Sequence, residues 1–408
     1  RKKKSYRDSQ INGRFAISSY GNLSNLNSAD YLRWRYTFSA SSNNYNSSNI
    51  SFDSYISFNY RSTEWSYIKN NISDALKFYT LSVGYNFSEE IALTFGRKHN
   101  RNISNIGAVD GFQLEVKIDN FTTGVILGSR PDYKNYTFNF DLFEYGGFVS
   151  HSNILGYGLM QNSFAFLQQT NNFITDRRFI YFQHSSNFIK QINLFMSSEV
   201  DLYKKEMGIA SSTFSLTGLY FSLRYRPSRV IGLQASYDSR KNVIYYETFN
   251  NYADSIYENA TRQGIRLGLT LSPIRNLYFR ADYGYRFQND DLRKTQNISG
   301  NLSYSNMPFI LGSFGISYNN LRTSYLEGNI YGIRYSRDLL SGLLFTTLSA
   351  RRIYYQFTNG TTNLNQTIVS ADLAIRIIKH LSLSLNYEGT FESNNNYTRY
   401  YFNITKRF

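Results

Sequence analysis

Cysteine is absent from the 408 residues. That absence excludes disulfides, thiol nucleophiles and Cys-ligated metals. Long apolar runs are missing too: no stretch approaches the ~20 apolar residues of a membrane-spanning helix, and the mean hydropathy is −0.43. A helical membrane protein is excluded, but not a barrel, where only every second residue must be apolar. Proline is scarce, with 4 residues. Pro131, Pro227, Pro273 and Pro308 all fall between strand-like runs, where a missing N–H breaks no ladder. Histidine is equally scarce (His99, His151, His184 and His380), and no Ser/His/Asp set can be assembled on one accessible face. The chain therefore reads as non-enzymatic. No phosphate loop or EF-hand is present, two histidines near one rim do not make a metal site, and no cofactor is expected. Acidic residues fall short of basic ones, giving a formal charge of +15. The basic residues are scattered, without a helix-turn-helix, zinc-finger or RRM signature, so nucleic acid is not an expected partner. A basic lumen and basic loops near anionic lipid are expected instead.

Aromatics are abundant, with 37 Tyr and 32 Phe, and they alternate with polar residues. In the last hairpin, Leu381, Leu383, Leu385, Tyr387 and Phe391 share one parity, and Ser382, Ser384, Asn386, Glu388 and Thr390 the other. Period-2 alternation puts the two sets on opposite faces of a strand. The same pattern runs through Leu32–Ala40 and Ile50–Tyr60, and through the clean central runs near 219–225, 231–240, 265–271 and 277–286. Between 132 and 178 the facing is ambiguous, and Gly146 and Gly147 suggest a bulge or a close backbone approach.

Strand-like runs recur about every 18 residues, separated alternately by short breaks (FSEE, DN, RPSR, SPIRN, SNMP, IIKH) and longer polar ones. The longest covers about 241–263, where a helix near 252–262 is conceivable. Short–long alternation is the mark of an up-and-down transmembrane barrel with short periplasmic turns and long extracellular loops. The expected fold is thus an all-β antiparallel barrel of about 22 strands (20–24), with residues 10–408 forming the barrel and 1–9 a basic periplasmic segment or linker. An even count puts both termini on the periplasmic side, and aromatics gather into two girdles. The chain does not begin with Met and opens on Arg1, Lys2, Lys3 and Lys4, so an upstream segment is expected.

These features resemble bacterial outer-membrane β-barrel proteins. Tyr400, Phe402, Ile404 and Phe408 look like the C-terminal insertion signal read by the barrel-assembly machinery, with Lys406 departing from the apolar pattern. The wealth of Asn, Tyr, Ile and Lys is similar to envelope proteins of AT-rich Bacteroidota. The resemblance implies outer-membrane lipid and lipopolysaccharide as surroundings. A count of 22 is also similar to TonB-dependent transporters, which carry an N-terminal plug, whereas about ten residues precede the first strand here. So wide a ring needs filling, by its own loops, an upstream segment or a partner.

The inward parity is expected to carry Arg33, Arg35, Lys117, Arg224, Arg226, Arg240, Arg266, Arg280, Arg286, Arg334 and Arg376, with Glu115, Glu199, Asp201, Asp238 and Asp282 among the acids. One reading is cross-strand neutralisation, with Glu199 and Asp201 opposite Arg224 and Arg226, and Asp238 near Arg266. The other is an Arg-rich stripe that selects anions. Gly96–Gly111 is a candidate inward-folded loop, the alternative being a plain extracellular hairpin. Ser236–Glu247 and Thr175–Phe179 are dense in charge and aromatics, fit either to clamp a ligand or to bridge loop to barrel. Two functions stay open: a porin-like or transport channel, and a structural barrel subunit of a larger secretion or assembly complex.

Overall fold

Alternating sequence makes strands that hide one face, and a closed ring is the arrangement that leaves no unpaired edge. The computed structural model describes the chain apart from residues 1–10, 26–29, 46–47, 104–105, 134, 207, 242, 249–260, 289–290, 359–362 and 394. The basic segment 1–9 and most of the conceivable helix at 252–262 lie outside the described residues.

The strands are β1 Asn12–Ser24, β2 Tyr31–Ser42, β3 Ile50–Arg61, β4 Leu76–Asn86, β5 Ile91–His99, β6 Ala108–Ile118, β7 Phe121–Ser129 and β8 Phe143–Leu155. They continue with β9 Gly158–Asn171, β10 Ile174–Ser186, β11 Ile192–Glu206, β12 Ile209–Tyr225, β13 Ile231–Arg240, β14 Arg262–Leu271 and β15 Leu277–Gln288. The last are β16 Asp291–Met307, β17 Gly312–Arg322, β18 Leu326–Leu339, β19 Leu344–Phe357, β20 Asn363–Ile378, β21 Leu381–Phe391 and β22 Asn396–Arg407. Each pairs antiparallel with its sequence neighbours in one 22-stranded sheet, and β1 pairs with β22 to close it.

The closure is made by the end of the chain. Gly13 N–H donates to the Phe408 carbonyl at 2.9 Å, and Phe408 N–H to that of Gly13 at 3.0 Å. The Phe408 ring lies over Gly13, where any Cβ would collide with it, and stacks on Phe38 at 6.3 Å. Tyr400 covers Gly21 in the same way. Phe402 stands opposite Leu385 and Ile404 opposite Leu383.

Two features depart from the expected pattern, and a third decides between two alternatives left open. The ambiguous stretch holds β8, β9 and the start of β10, with β8–β9 and β9–β10 joined by tight turns. The second, Asn172–Phe173, sits on the rim of the longer loops with φ of 50° and 62°. Two positive φ values are what a type I′ hairpin turn requires, so short and long connections do not alternate strictly. Second, the β3–β4 loop holds two single helical turns, α1 Trp65–Ile68 and α2 Ile72–Ala75. Four residues are too few for a helical period to show in sequence. Third, Gly146 lies in regular pairing, so close approach explains it rather than a bulge: a Cβ there would press on the backbone of Phe166 and Leu167.

Candidate functional site

Register assigns the faces. One face carries the exposed apolar residues, among them Leu81, Val83, Phe95, Phe112, Val125, Leu127, Val149 and Phe164. The other carries buried polar groups (Ser57, Ser82, Gln113, Ser150, Ser163, Thr347 and Ser370) and receives the folded-in loops, which makes it the inside of the ring.

From β6 to β11 the inside is filled. Asn100 turns the β5–β6 loop inward: its Nδ2 donates to Gln113 Oε1 at 3.2 Å and Glu115 Oε1 at 3.1 Å, and its Oδ1 accepts from Asn102 N–H at 2.8 Å. Ile103 and Ile106 thereby meet Val109, Ile126, Phe148, Ala165, Leu167, Phe179 and Tyr181 in a buried apolar cluster. Part of the candidate segment Gly96–Gly111 does fold inward, but its charged members do not all follow. Arg97 and Asp110 share the parity of Phe95 and Phe112 and pair at 2.5 Å beneath the β7–β8 loop, where Arg97 also donates to the Tyr136 carbonyl at 2.6 Å.

Above the apolar cluster lies an ionic one. The β9–β10 register shifts between Thr175 and Arg177. Such a bulge re-aims side chains, and here it buries two consecutive charges, Asp176 and Arg177. Asp176 pairs with Arg130 at 2.8 Å. It also accepts from the backbone N–H groups of Glu247 (2.8 Å) and Thr248 (3.2 Å) and from the Thr248 hydroxyl (2.6 Å). The described part of the β13–β14 loop is thus tied onto β10. Lys205 adds a pair with Glu247. Arg177 donates to Asp201 from Nε at 3.0 Å and from Nη2 at 2.6 Å, pairs with Glu199, and lies 4.1 Å from the Phe179 ring centre. Thr175–Phe179 and Ser236–Glu247, separate in sequence, therefore meet as loop-to-barrel bridges. Glu144 is fully buried next to them and accepts from Gln169 Nε2 at 3.1 Å.

The expected partners of Glu199 and Asp201 were wrong. Glu199 stands opposite Gly218, Arg224 opposite Asn193, and Arg177 holds both carboxylates. Arg226 lies beyond the end of β12, its N–H bonded to the Gln191 carbonyl. Asp238 stands opposite Gly264 and Arg266 opposite Ser236, and no ion pair joins them. Asp176 and Arg177, within Thr175–Phe179, could not be given a facing because the bulge breaks the parity from which facing is read, and Arg130, just past the end of β7, was missed.

From β12 round to β3 the inner face is open and basic. Register puts Arg33, Arg35, Arg224, Arg240, Arg266, Arg280, Arg286, Arg334 and Arg376 on it, all exposed, with Asp238 and Asp282 among them. Lys117 and Glu115 share that face on β6, on the filled side. Arg280 pairs with Asp282 along its own strand at 2.7 Å, and Arg35 donates to Ser57 and to the Tyr55 hydroxyl. Among the described residues, Arg33, Arg224, Arg240, Arg266, Arg286, Arg334 and Arg376 form no ion pair. Arg33 stands directly opposite Arg61, and Arg240 opposite Arg262.

A closed antiparallel ring with exposed apolar residues outside and polar ones inside defines an outer-membrane-type β-barrel. The chain is similar in structure to a mutant ferric enterobactin receptor of Pseudomonas aeruginosa, PfeA (11% identity, 98% of this chain and 82% of that one, TM-score 0.56). It is also similar to the P pilus usher PapC translocation pore (10%, 98% and 99%, TM-score 0.50) and to Pseudomonas aeruginosa OccK3 (OpdO) (9%, 98% and 97%, TM-score 0.49). At such identities what is shared is the fold. No protein-family model and no curated protein matches the chain in sequence.

Proposed function

We propose that the protein is a non-enzymatic outer-membrane channel whose basic inner wall favours small anionic solutes. The observation that carries this reading is the register-opposed pairs Arg33–Arg61 and Arg240–Arg262. Like charges directly opposite each other cost stability, so a purely structural polar wall has no use for them. A continuous positive field along a conduction path does. The β5–β6 loop and the described part of the β13–β14 loop lie against the facing wall, β6 to β11, and in this reading narrow the path there. In this reading both termini are periplasmic, and the strand ending in Tyr400, Phe402, Ile404 and Phe408 serves insertion by the barrel-assembly machinery. Reconstitution in planar bilayers under a salt gradient tests it: a reversal potential on the anion side is expected, and absence of conductance even after deletion of residues 100–107 overturns it.

A second reading, a barrel subunit of a larger envelope complex, draws on one feature. The β7–β8 loop lies over the outer wall and presents Phe138 and Phe140, 50% and 74% exposed, as a T-shaped pair. Purification from the native membrane in mild detergent separates the two: a stable co-purifying protein lost on substituting Phe138 and Phe140 with Ser favours the complex, and a barrel migrating alone favours the channel.

A further inference from the structure

On the outer wall, between β15 and β20, one ladder row reads Gly300, Tyr318, Tyr331, Arg352 and Thr367. The row nearer the longer-loop rim is mostly polar, with Asn320, Asn329 and Asn365 beside Tyr354 and Ile298 at its β16 end. The row on the other side is apolar, with Leu302, Ile316, Ile333, Ala350 and Val369. Arg352 therefore stands where the wall passes from headgroup chemistry to hydrocarbon chemistry, at the depth of an aromatic girdle.

Arg352 is exposed and has no carboxylate partner among the described residues. It uses one donor on Thr367 Oγ1 and lies 5.1 Å from the Tyr354 ring centre. A guanidinium has five donors, so four have no acceptor among the described residues, beside the register-opposed Tyr331. Directly beneath runs an apolar groove of about 690 Å³ between Phe279, Leu302, Ile316 and Ile333. Its floor is low because Gly300 and Ala350 occupy wall positions where large side chains are the rule; a Cβ on Gly300 would meet nothing within 4 Å.

We propose that this groove seats one acyl chain of a phosphorylated glycolipid of the outer leaflet, with a headgroup phosphate held by Arg352. The forked guanidinium fits a phosphate in bidentate fashion, and the free cation and the groove lie one ladder row apart, which suits a headgroup and the start of its chain. The site goes beyond the channel reading, because it lies on the opposite face of the sheet from the basic inner wall. It does require the longer loops to point away from the periplasm, as that reading has them.

The test places the barrel in nanodiscs and measures lipid retained per barrel by native mass spectrometry, offering bisphosphorylated lipid A, its dephosphorylated form, or phosphatidylglycerol. Bisphosphorylated lipid A is expected to be retained best, and Arg352→Gln to lower that retention about tenfold, as loss of a charge-assisted contact does. Gly300→Phe, which fills the groove and leaves Arg352 in place, should lower retention of both lipid A forms. Conductance and heat-modifiable gel migration of both variants should match the parent, which separates a failed lipid site from a failed channel or a failed fold. Equal retention of the dephosphorylated lipid, preference for phosphatidylglycerol, or indifference to Gly300→Phe would overturn the proposal.

Discussion

Between β6 and β11 most of the inner face is buried and its buried arginine is paired; from β12 round to β3 it is exposed and carries like charges side by side. Both walls contain arginines one parity away from lipid. On the filled wall Arg177 is 5% exposed and meets two carboxylates; on the open wall Arg266 and Arg286 are exposed and meet none among the described residues. Burial decides the difference. A charge out of water must be paired and hydrogen-bonded, whereas one facing water can stand alone at little cost. The same residue type is therefore structural on one side and free to act on solutes on the other.

The comparison breaks most visibly at Arg177. Replacing it with Leu leaves Glu199 and Asp201 buried without their cation, and removing one partner of such a cluster costs about 3–5 kcal/mol. Urea unfolding of the detergent-folded barrel should register that loss. Arg266→Leu, on the open wall, should stay within about 0.5 kcal/mol of the parent. If both variants unfold alike, the two walls are not energetically distinct.

Asp176 comes next in size. Asp176→Asn keeps the shape but removes the charge that receives Arg130 and the two backbone N–H groups of the β13–β14 loop. Hydrogen bonds to a charged group contribute about 1.5–3 kcal/mol, so the loop should loosen while the ring persists. Conductance should rise and become noisier, and hydrogen exchange at Glu247 and Thr248 should quicken. Unchanged exchange there would mean that the loop is held by something other than Asp176.

Why one wall was legible in the sequence and the other was not follows from the same contrast. Along β13–β15 every strand alternates strictly, so Arg266 and Arg286 could be assigned a face from parity alone. Along β8–β10 the inside is packed, and Phe148, Leu167 and Phe179 are apolar although they face inward. With apolar residues on both faces, period 2 disappears, as in any strand buried on both sides. The bulge beside Asp176 then shifts the phase of what remains. The charge density of Thr175–Phe179 was visible, but its contact with Glu247 and Thr248, some 70 residues away, has no sequence signal. The number of strands was accessible because it depends on turns and spacing, which packing does not disturb.

The smallest effect belongs to single charges on the open wall. Two unit charges 8 Å apart in water interact by about 0.5 kcal/mol, roughly a twofold bias per charge. Arg266→Ala or Arg286→Ala alone should thus lower the anion-to-cation permeability ratio about twofold, and the pair together by about the product, provided the two sites act independently. The bias should fade between about 0.1 and 1 M salt, as the Debye length shrinks from about 10 to 3 Å. Arg352→Gln, outside the ring, supplies the comparison within the same strand set: it removes an equal charge yet should leave the reversal potential in place. A shift as large from Arg352 as from Arg266 would mean that net charge, and not the inner face, sets selectivity.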